Sequence, residues 1–347
     1  MPANSFGEHF VLHSFGESHG TALGVVIDGC PAGIVVDEAL LLKELERRRP
    51  GQIGSNQQFV VSTRQEEDRP EILSGVFEGK TLGTPIAVIV RNQNQKSADY
   101  DEIKKAPRAG HADDVWKSKF GHSDHRGGGR SSGRETLSRV IAGSFARMLL
   151  NQAAPKMKIV GFASQIGPLL LGSEEEIQFL TNSDASAETF VARFPSAAQQ
   201  QKVSDLLTTA KSSGESWGGI AKIVVQNPSA GLGQPVFHKL KSDLAAALMS
   251  VGAVVGVEVG AGFSSVDRPG TEFHRGSQDV YGGIRGGIST GDDIVVKVAI
   301  KPTSSILDVS KKGRHDPCIV TRAIPVLEAM VAIVLADHTL LSRMDQA

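Results

Sequence analysis

The sequence predicts an α+β fold in which strands and helices lie in separate layers, and three observations predict it. Runs rich in β-branched residues recur at 23–28, 84–90, 220–226 and 294–301. Two long segments, 137–150 and 319–335, carry apolar residues at three- and four-residue intervals and are helical. The order strand, turn, helix occurs twice: as 23–28, 29–33 and the helix after Asp37, and again as 220–226, 227–231 and 239–249. That echo points to a duplicated unit and a pseudo-twofold architecture within a single domain spanning 1–347. Its halves cover about 1–150 and 216–347, a period far longer than that of a solenoid. Residues 173–215, rich in Ser, Ala, Gln and Glu, form a peripheral insertion between them, and no chemistry is expected there.

Composition narrows the function classes. With 347 residues, 40% apolar and 22% charged, the chain is long enough for one large core or two coupled ones. A formal net charge of -1 gives no general attraction to nucleic acid or anionic lipid, so any basic site is local. The start, Met1-Pro2-Ala3-Asn4, lacks a basic stretch followed by an apolar one, and no apolar run of membrane-spanning length is read; a cytoplasmic protein is expected. Cys30 and Cys318 are too few to staple such a chain and are read as thiols.

From the N-terminus, Gly16-Glu17-Ser18-His19-Gly20 precedes the first long strand. Asp37 caps a helix with Leu40, Leu41 and Leu45 on its buried side, and that helix ends in Arg47-Arg48-Arg49-Pro50-Gly51. A helix dipole favours cations at this end, which is one reading of the arginines; the other is that they reach into a neighbouring pocket.

The stretch 126–136, Arg-Gly-Gly-Gly-Arg-Ser-Ser-Gly-Arg-Glu-Thr, runs straight into the helix at 137–150. Helix N-termini offer unpaired N–H groups, glycines allow close approach, and Arg126, Arg130 and Arg134 supply bidentate forks, so the stretch reads as an anion cradle. A flexible loop with solvated arginines is the alternative. Neither a nucleotide-triphosphate loop nor a dinucleotide fingerprint fits, because no Lys follows the last glycine and the glycine spacing differs.

Two further motifs join Gly to ionisable groups, Arg108-Ala109-Gly110-His111-Ala112-Asp113 and Gly313-Arg314-His315-Asp316-Pro317-Cys318. Histidine can give and take a proton near neutrality, and an aspartate beside an arginine can serve as a base. Metal binding is a rival through His111, Asp113, Asp114, His122, Asp124 and His125, but that cluster contains no His-x-x-x-His or Cys-x-x-Cys pair, and no metal is expected. A Cys318–His315 nucleophile is a second rival, although a cysteine leading into an apolar helix is more simply a packed thiol. Nucleic-acid binding through the arginine clusters is a third, weakened by an aromatic content of 5%.

Taken together, the motifs resemble those of the chorismate synthase family along nearly the whole chain. The resemblance rests on Phe15 with the Gly16–Gly20 motif, on 47–51, Gly110-His111-Ala112-Asp113, 126–136, Lys301-Pro302-Thr303-Ser304-Ser305 and 313–318, in that order. It implies a three-layer β/α/β sandwich, with antiparallel sheets flanking a helical layer, and a homotetramer. It further implies conversion of 5-enolpyruvylshikimate 3-phosphate into chorismate and phosphate by a 1,4-anti elimination, the last common step toward aromatic compounds. Reduced FMN is required without net redox change, and since nothing in the chain resembles a flavin reductase domain, the reduced flavin comes from an external reductase.

The roles implied by the resemblance are specific. Arg48, Arg134 and Arg314 hold substrate anions. Arg130, Ser131, Ser132, Gly252, Ala253, Gly286, Lys301, Pro302, Thr303, Ser304, Ser305 and Arg314 contact the flavin. His19 is the acid near the departing phosphate, His111 protonates or neutralises the reduced flavin, and Asp316, working through Ser18, takes a proton from the flavin's N5 side. Partners beyond the small-molecule substrate, whether nucleic acid or membrane, are not expected. A protein that kept this pocket without the chemistry is the alternative function.

Three departures from the family pattern stand out. Ala109 replaces the usual Pro, Gln52-Ile53-Gly54-Ser55 follow Gly51 where bacterial relatives often place another Arg, and Asp279-Val280-Tyr281 replace Asn-His-Ala. Arg64 is a possible substitute for the missing Arg, and the last change would reshape the flavin entrance.

Overall fold

The computed structural model describes residues 3–49, 68–92, 112–124, 126–182, 185–275, 280–304, 306–307 and 316–345. The first half contains β1 (Ser5–Phe6), β2 (Val11–Phe15), β3 (Ala22–Asp28), α1 (Glu38–Arg48), β4 (Pro70–Ile72), β5 (Val76–Phe77), β6 (Lys80–Thr81), β7 (Ile86–Arg91), α2 (Asp113–Phe120) and α3 (Thr136–Ala153). Next come β8 (Lys158–Ile166), β9 (Leu169–Leu170), α4 (Ser173–Thr181) and α5 (Gln200–Ser213). The second half has β10 (Gly219–Gln226), α6 (Leu240–Met249), β11 (Val254–Val259), α7 (Gly270–Arg275), β12 (Ile284–Arg285), β13 (Ile288–Ser289), β14 (Ile294–Ile300) and α8 (Val320–Leu341).

Among the described residues, the longer strands form two five-stranded antiparallel sheets, ordered β1-β2-β3-β7-β4 and β11-β14-β10-β8-β9. Alternation explains the exposure of one face: β14 buries Ile294, Val296, Val298 and Ile300, and β7 buries Ile86, Val88 and Val90. Between the sheets lie helices. α3 packs on β2 and β3, α8 packs on β8 and β10, and the two helices pack on each other, with α1 against both and α6 against α8. Strands and helices therefore occupy separate layers, as expected of an α+β chain.

α3 follows its apolar pattern, burying Leu137, Val140, Ile141, Phe145, Met148 and Leu149. Its close approach to α8 depends on Gly143, where an added Cβ would lie 2.4 Å from the Ala329 Cβ. By length and composition α8 could cross a membrane, a span not read from the sequence because Arg322, Glu328 and Asp337 interrupt the run. Here 78% of its most apolar window is buried inside the protein, so it serves as a core helix.

A buried ionic network ties this core to the segment 185–194. Glu328 of α8 accepts from Arg47 Nη1 (2.6 Å), Arg147 Nη2 (2.9 Å) and the Gly161 backbone N–H (2.7 Å). Arg47 also donates to Glu44 (2.8 Å) and Glu188 (2.7 Å), and Arg193 donates to Glu188 and to the Arg47 carbonyl. Pro325 has no N–H to offer the Thr321 carbonyl one turn before it, and Arg193 Nη1 donates to that carbonyl instead. The segment expected to be a peripheral insertion thus sends two charged side chains into the helical layer.

The network has a pH signature. Burial alone would push the carboxyl pKa of Glu328 and Glu188 up, but their arginine partners outweigh it and both are held below the ordinary value; the same holds for Asp68, described below. Groups depressed on folding stabilise fully above their unfolded pKa, about 3.9 for Asp and 4.3 for Glu, and lose that contribution as pH falls through the folded value. Urea unfolding is expected to give a level stability from pH 7 to about 5 and a steep loss below about 4. Constant stability down to pH 3 would contradict it.

Candidate active site

One cavity of about 680 Å³ opens between the two sheets' ends, and segments distant in sequence converge on it. Its wall is formed by Ser14 at the end of β2, Arg48 at the end of α1, residues 130–136, Ser250 to Ala253 after α6, Lys301 to Ser304 after β14, and Asp316 with the first turns of α8. The volume lies within the range of sites that enclose small molecules.

Arg48 is the last residue of α1, where cations are favoured, yet its side chain is 1% exposed. Its Nη2 donates to Asp68 Oδ2 at 2.6 Å, and Arg134 Nη1 donates to the other oxygen of that carboxylate at 3.0 Å. Arg134 Nε donates to Asn92 Oδ1 at 2.8 Å, and Asn92 Nδ2 in turn donates to the carbonyls of Gly20 (2.8 Å) and Ser18 (3.3 Å). One polar chain therefore runs from α1 to the loop that carries Ser18 and His19.

The glycine stretch differs from expectation in form. It is not an open loop leading into a helix: 126–131 and 133–135 wind as 3-10 turns before α3 begins. Ser132 caps the second turn, accepting from the Arg134 N–H. Arg126 faces away from the cavity, paired with Asp124 at 2.8 Å. Arg130 faces inward, and its guanidinium donates to Ser14 Oγ (2.5 Å) and to the Gly16 carbonyl (3.2 Å), which binds the turn to the end of β2.

Of the residues singled out from sequence, Arg48, Arg130, Ser131, Ser132, Arg134, Gly252, Ala253, Lys301, Pro302, Thr303, Ser304 and Asp316 line this one cavity. Ser18 is buried and His19 half-buried on the adjoining loop, and neither is among the lining residues. Gly286 turns between β12 and β13 and is not in the lining either. His111, Arg314 and Ser305 lie outside the described residues, as do 52–64, Ala109 and Asp279.

Sequence reading missed several wall residues. Arg322 donates through Nη1 to Asp316 Oδ2 at 2.5 Å, and Thr303 Oγ1 donates to the Asp316 carbonyl at 3.1 Å, so the aspartate is held from two sides. Trp116 on α2, Arg139 on α3 and Met330 on α8 also line the cavity. Arg322 and Arg139 sit within helical patterns and carry no local signal, and Asp68, in the charged stretch Glu66-Glu67-Asp68-Arg69, carries none either.

The rivals fare differently. Cys318 is 6% exposed, and burial pushes its thiol pKa up to about 12; Cys30 is likewise pushed up to about 11. Thiols so protonated are poor nucleophiles at neutral pH. Native protein is expected to react with a thiol reagent at pH 7.5 far more slowly than urea-unfolded protein, and rapid native labelling of Cys318 would reopen the nucleophile reading. Arg47 and Arg48 are engaged inside the protein, which removes them from a nucleic-acid surface. Among the described residues no group of three His, Cys, Asp or Glu side chains could hold a metal ion.

Comparison with known proteins decides the family. The family model described as chorismate synthase matches residues 10–340. The chain belongs to the chorismate synthase family. The chorismate synthase of Bdellovibrio bacteriovorus is 64% identical over 346 residues, covering 100% of both chains, and that of Cytophaga hutchinsonii is 43% identical, covering 97% of this chain and 98% of its own. A crystal structure of a chorismate synthase superposes with a TM-score of 0.76 at 31% identity, covering 97% of this chain and 93% of the other.

Proposed function

We propose that this chain is a chorismate synthase: it eliminates phosphate from 5-enolpyruvylshikimate 3-phosphate in a 1,4-anti sense to give chorismate, on the shikimate route to aromatic amino acids. The observation that carries this reading is the convergence of a buried and a half-buried arginine, a serine-bearing turn and a fixed aspartate on one cavity. A substrate with one phosphate and two carboxylates calls for concentrated cationic donors in a nearly neutral protein, and Arg48 and Arg134 supply them.

Reduced FMN fits the same cavity, where Arg130, Ser131 and Ser132 supply polar groups and the Cβ-free Gly252 leaves open space beside Ala253. Lys301 to Ser304 continue that wall and bring a further cation. When bound, reduced flavin would supply the electron chemistry of the C–O cleavage without net redox change. The protein's own part is placement and proton control. Arg48 and Arg134 orient the substrate's anions, and His19 donates to the departing phosphate oxygen. Asp316, oriented by Arg322 and assisted by Ser18, holds a proton-accepting oxygen at the cavity wall.

The reading extends to assembly and ancestry. A homotetramer is supported by exposed Phe263 (80%) and Val266 (82%) directly after β11, the edge strand of the second sheet. Internal duplication is supported by β3 and β10, each central in its sheet and each paired with the strand, β7 or β14, that echoes the other. Formation of chorismate from 5-enolpyruvylshikimate 3-phosphate with anaerobically reduced FMN tests the function directly.

A further inference from the structure

Arg48 and Arg134 reach the cavity from different elements, the end of α1 and the turn before α3, yet they are joined by one carboxylate, Asp68, whose side chain is 1% exposed. Two guanidinium groups brought to one buried wall repel each other and are costly to desolvate. Asp68 offsets both effects, since each of its oxygens accepts from a different arginine. Burial raises its pKa and the charges and hydrogen bonds of Arg48 and Arg134 more than reverse the shift. The backbone at Asp68 is held at φ 40°, a left-handed conformation that non-glycine residues adopt at a cost. Asn92, at the end of β7, continues the chain by accepting from Arg134 and donating to the Ser18 and Gly20 carbonyls.

We propose that Asp68 and Asn92 are positioning residues of the anion subsite: Asp68 fixes Arg48 and Arg134 as a pair, and Asn92 locks Arg134 to the loop carrying Ser18 and His19. The proposal rests on the reading that these two arginines hold the anions of the phosphorylated substrate. Neither Asp68 nor Asn92 lines the cavity, so both act through the residues that do.

The test uses the full chain with reduced FMN, measuring steady-state kinetics and calorimetric binding of 5-enolpyruvylshikimate 3-phosphate. Asp68→Asn presents an amide N–H₂ to one of the two arginines, and Asn92→Ala removes the link to the loop. Each is expected to raise KM and Kd about tenfold or more while lowering kcat less, and Asp68→Glu to recover part of the loss. In an Arg134→Ala background the Asp68→Asn effect shrinks, because much of it acts through Arg134. If Asp68→Asn fails to fold, the half-buried and neutral Asn92→Ala decides. KM and Kd within twofold of wild type in the folded variants, or full additivity with Arg134→Ala, overturns the proposal and leaves the function standing. A wild-type chain that does not bind the substrate overturns both.

Discussion

Glu328→Ala is expected to cost about 3–5 kcal/mol of folding stability, because it removes the buried carboxylate that two arginines share. Glu328 is 2% exposed, and Arg47, Arg147 and the Gly161 N–H all point at it. Arg147 and the Gly161 N–H would lose the carboxylate they point at, and Arg47 would keep Glu44 and Glu188. Gly161 is part of the same device, since a Cβ there would lie 2.7 Å from Glu328 Oε1. Against a typical total of about 5–15 kcal/mol the loss is large, and Glu328→Gln, which keeps an acceptor but not the charge, is expected to fall between. Equilibrium urea unfolding at pH 7 measures both. A Glu328→Ala midpoint equal to wild type would mean that the network is not what holds α1, α3 and α8 together.

The second large effect falls on turnover. His19→Ala and Asp316→Ala are each expected to lower kcat by ~100-fold or more with the fold intact. Asp316 lines the cavity with its carboxylate fixed by Arg322 and its carbonyl by Thr303, so removing the side chain deletes a positioned acceptor with little packing. His19 stands on a loop held by Asn92, and in the proposed mechanism it is the acid for the departing phosphate. Anaerobic assays at saturating substrate, with circular dichroism as a fold control, check this. Wild-type-like turnover in either variant removes the role assigned to that residue.

Much of this architecture was legible because the patterns were local. The alternation of 294–300, the three-and-four spacing of 137–150 and the Asp37 cap, whose carboxylate accepts from the Leu40 N–H at 2.9 Å, all state their structure in consecutive residues. Motif residues and the family resemblance likewise pointed to twelve residues of the cavity wall. What stayed hidden depends on tertiary contact. Asp68, Asn92 and Arg322 become meaningful only once strand pairing sets β4 beside β7 and packing brings the start of α8 to the cavity, and the pairing of Glu328 with Arg47 spans 281 residues. The 3-10 winding of the glycine stretch was also hidden, since glycines permit a loop as readily as a tight turn.

The most direct measurement is phosphate release from 5-enolpyruvylshikimate 3-phosphate under anaerobic conditions, run in parallel with FMN reduced by dithionite and with oxidised FMN. Release with reduced flavin only, matched by an equal amount of chorismate, is the predicted result. No release in either arm, with FMN and substrate both bound, would contradict the elimination and leave a binding protein that kept the pocket without its chemistry.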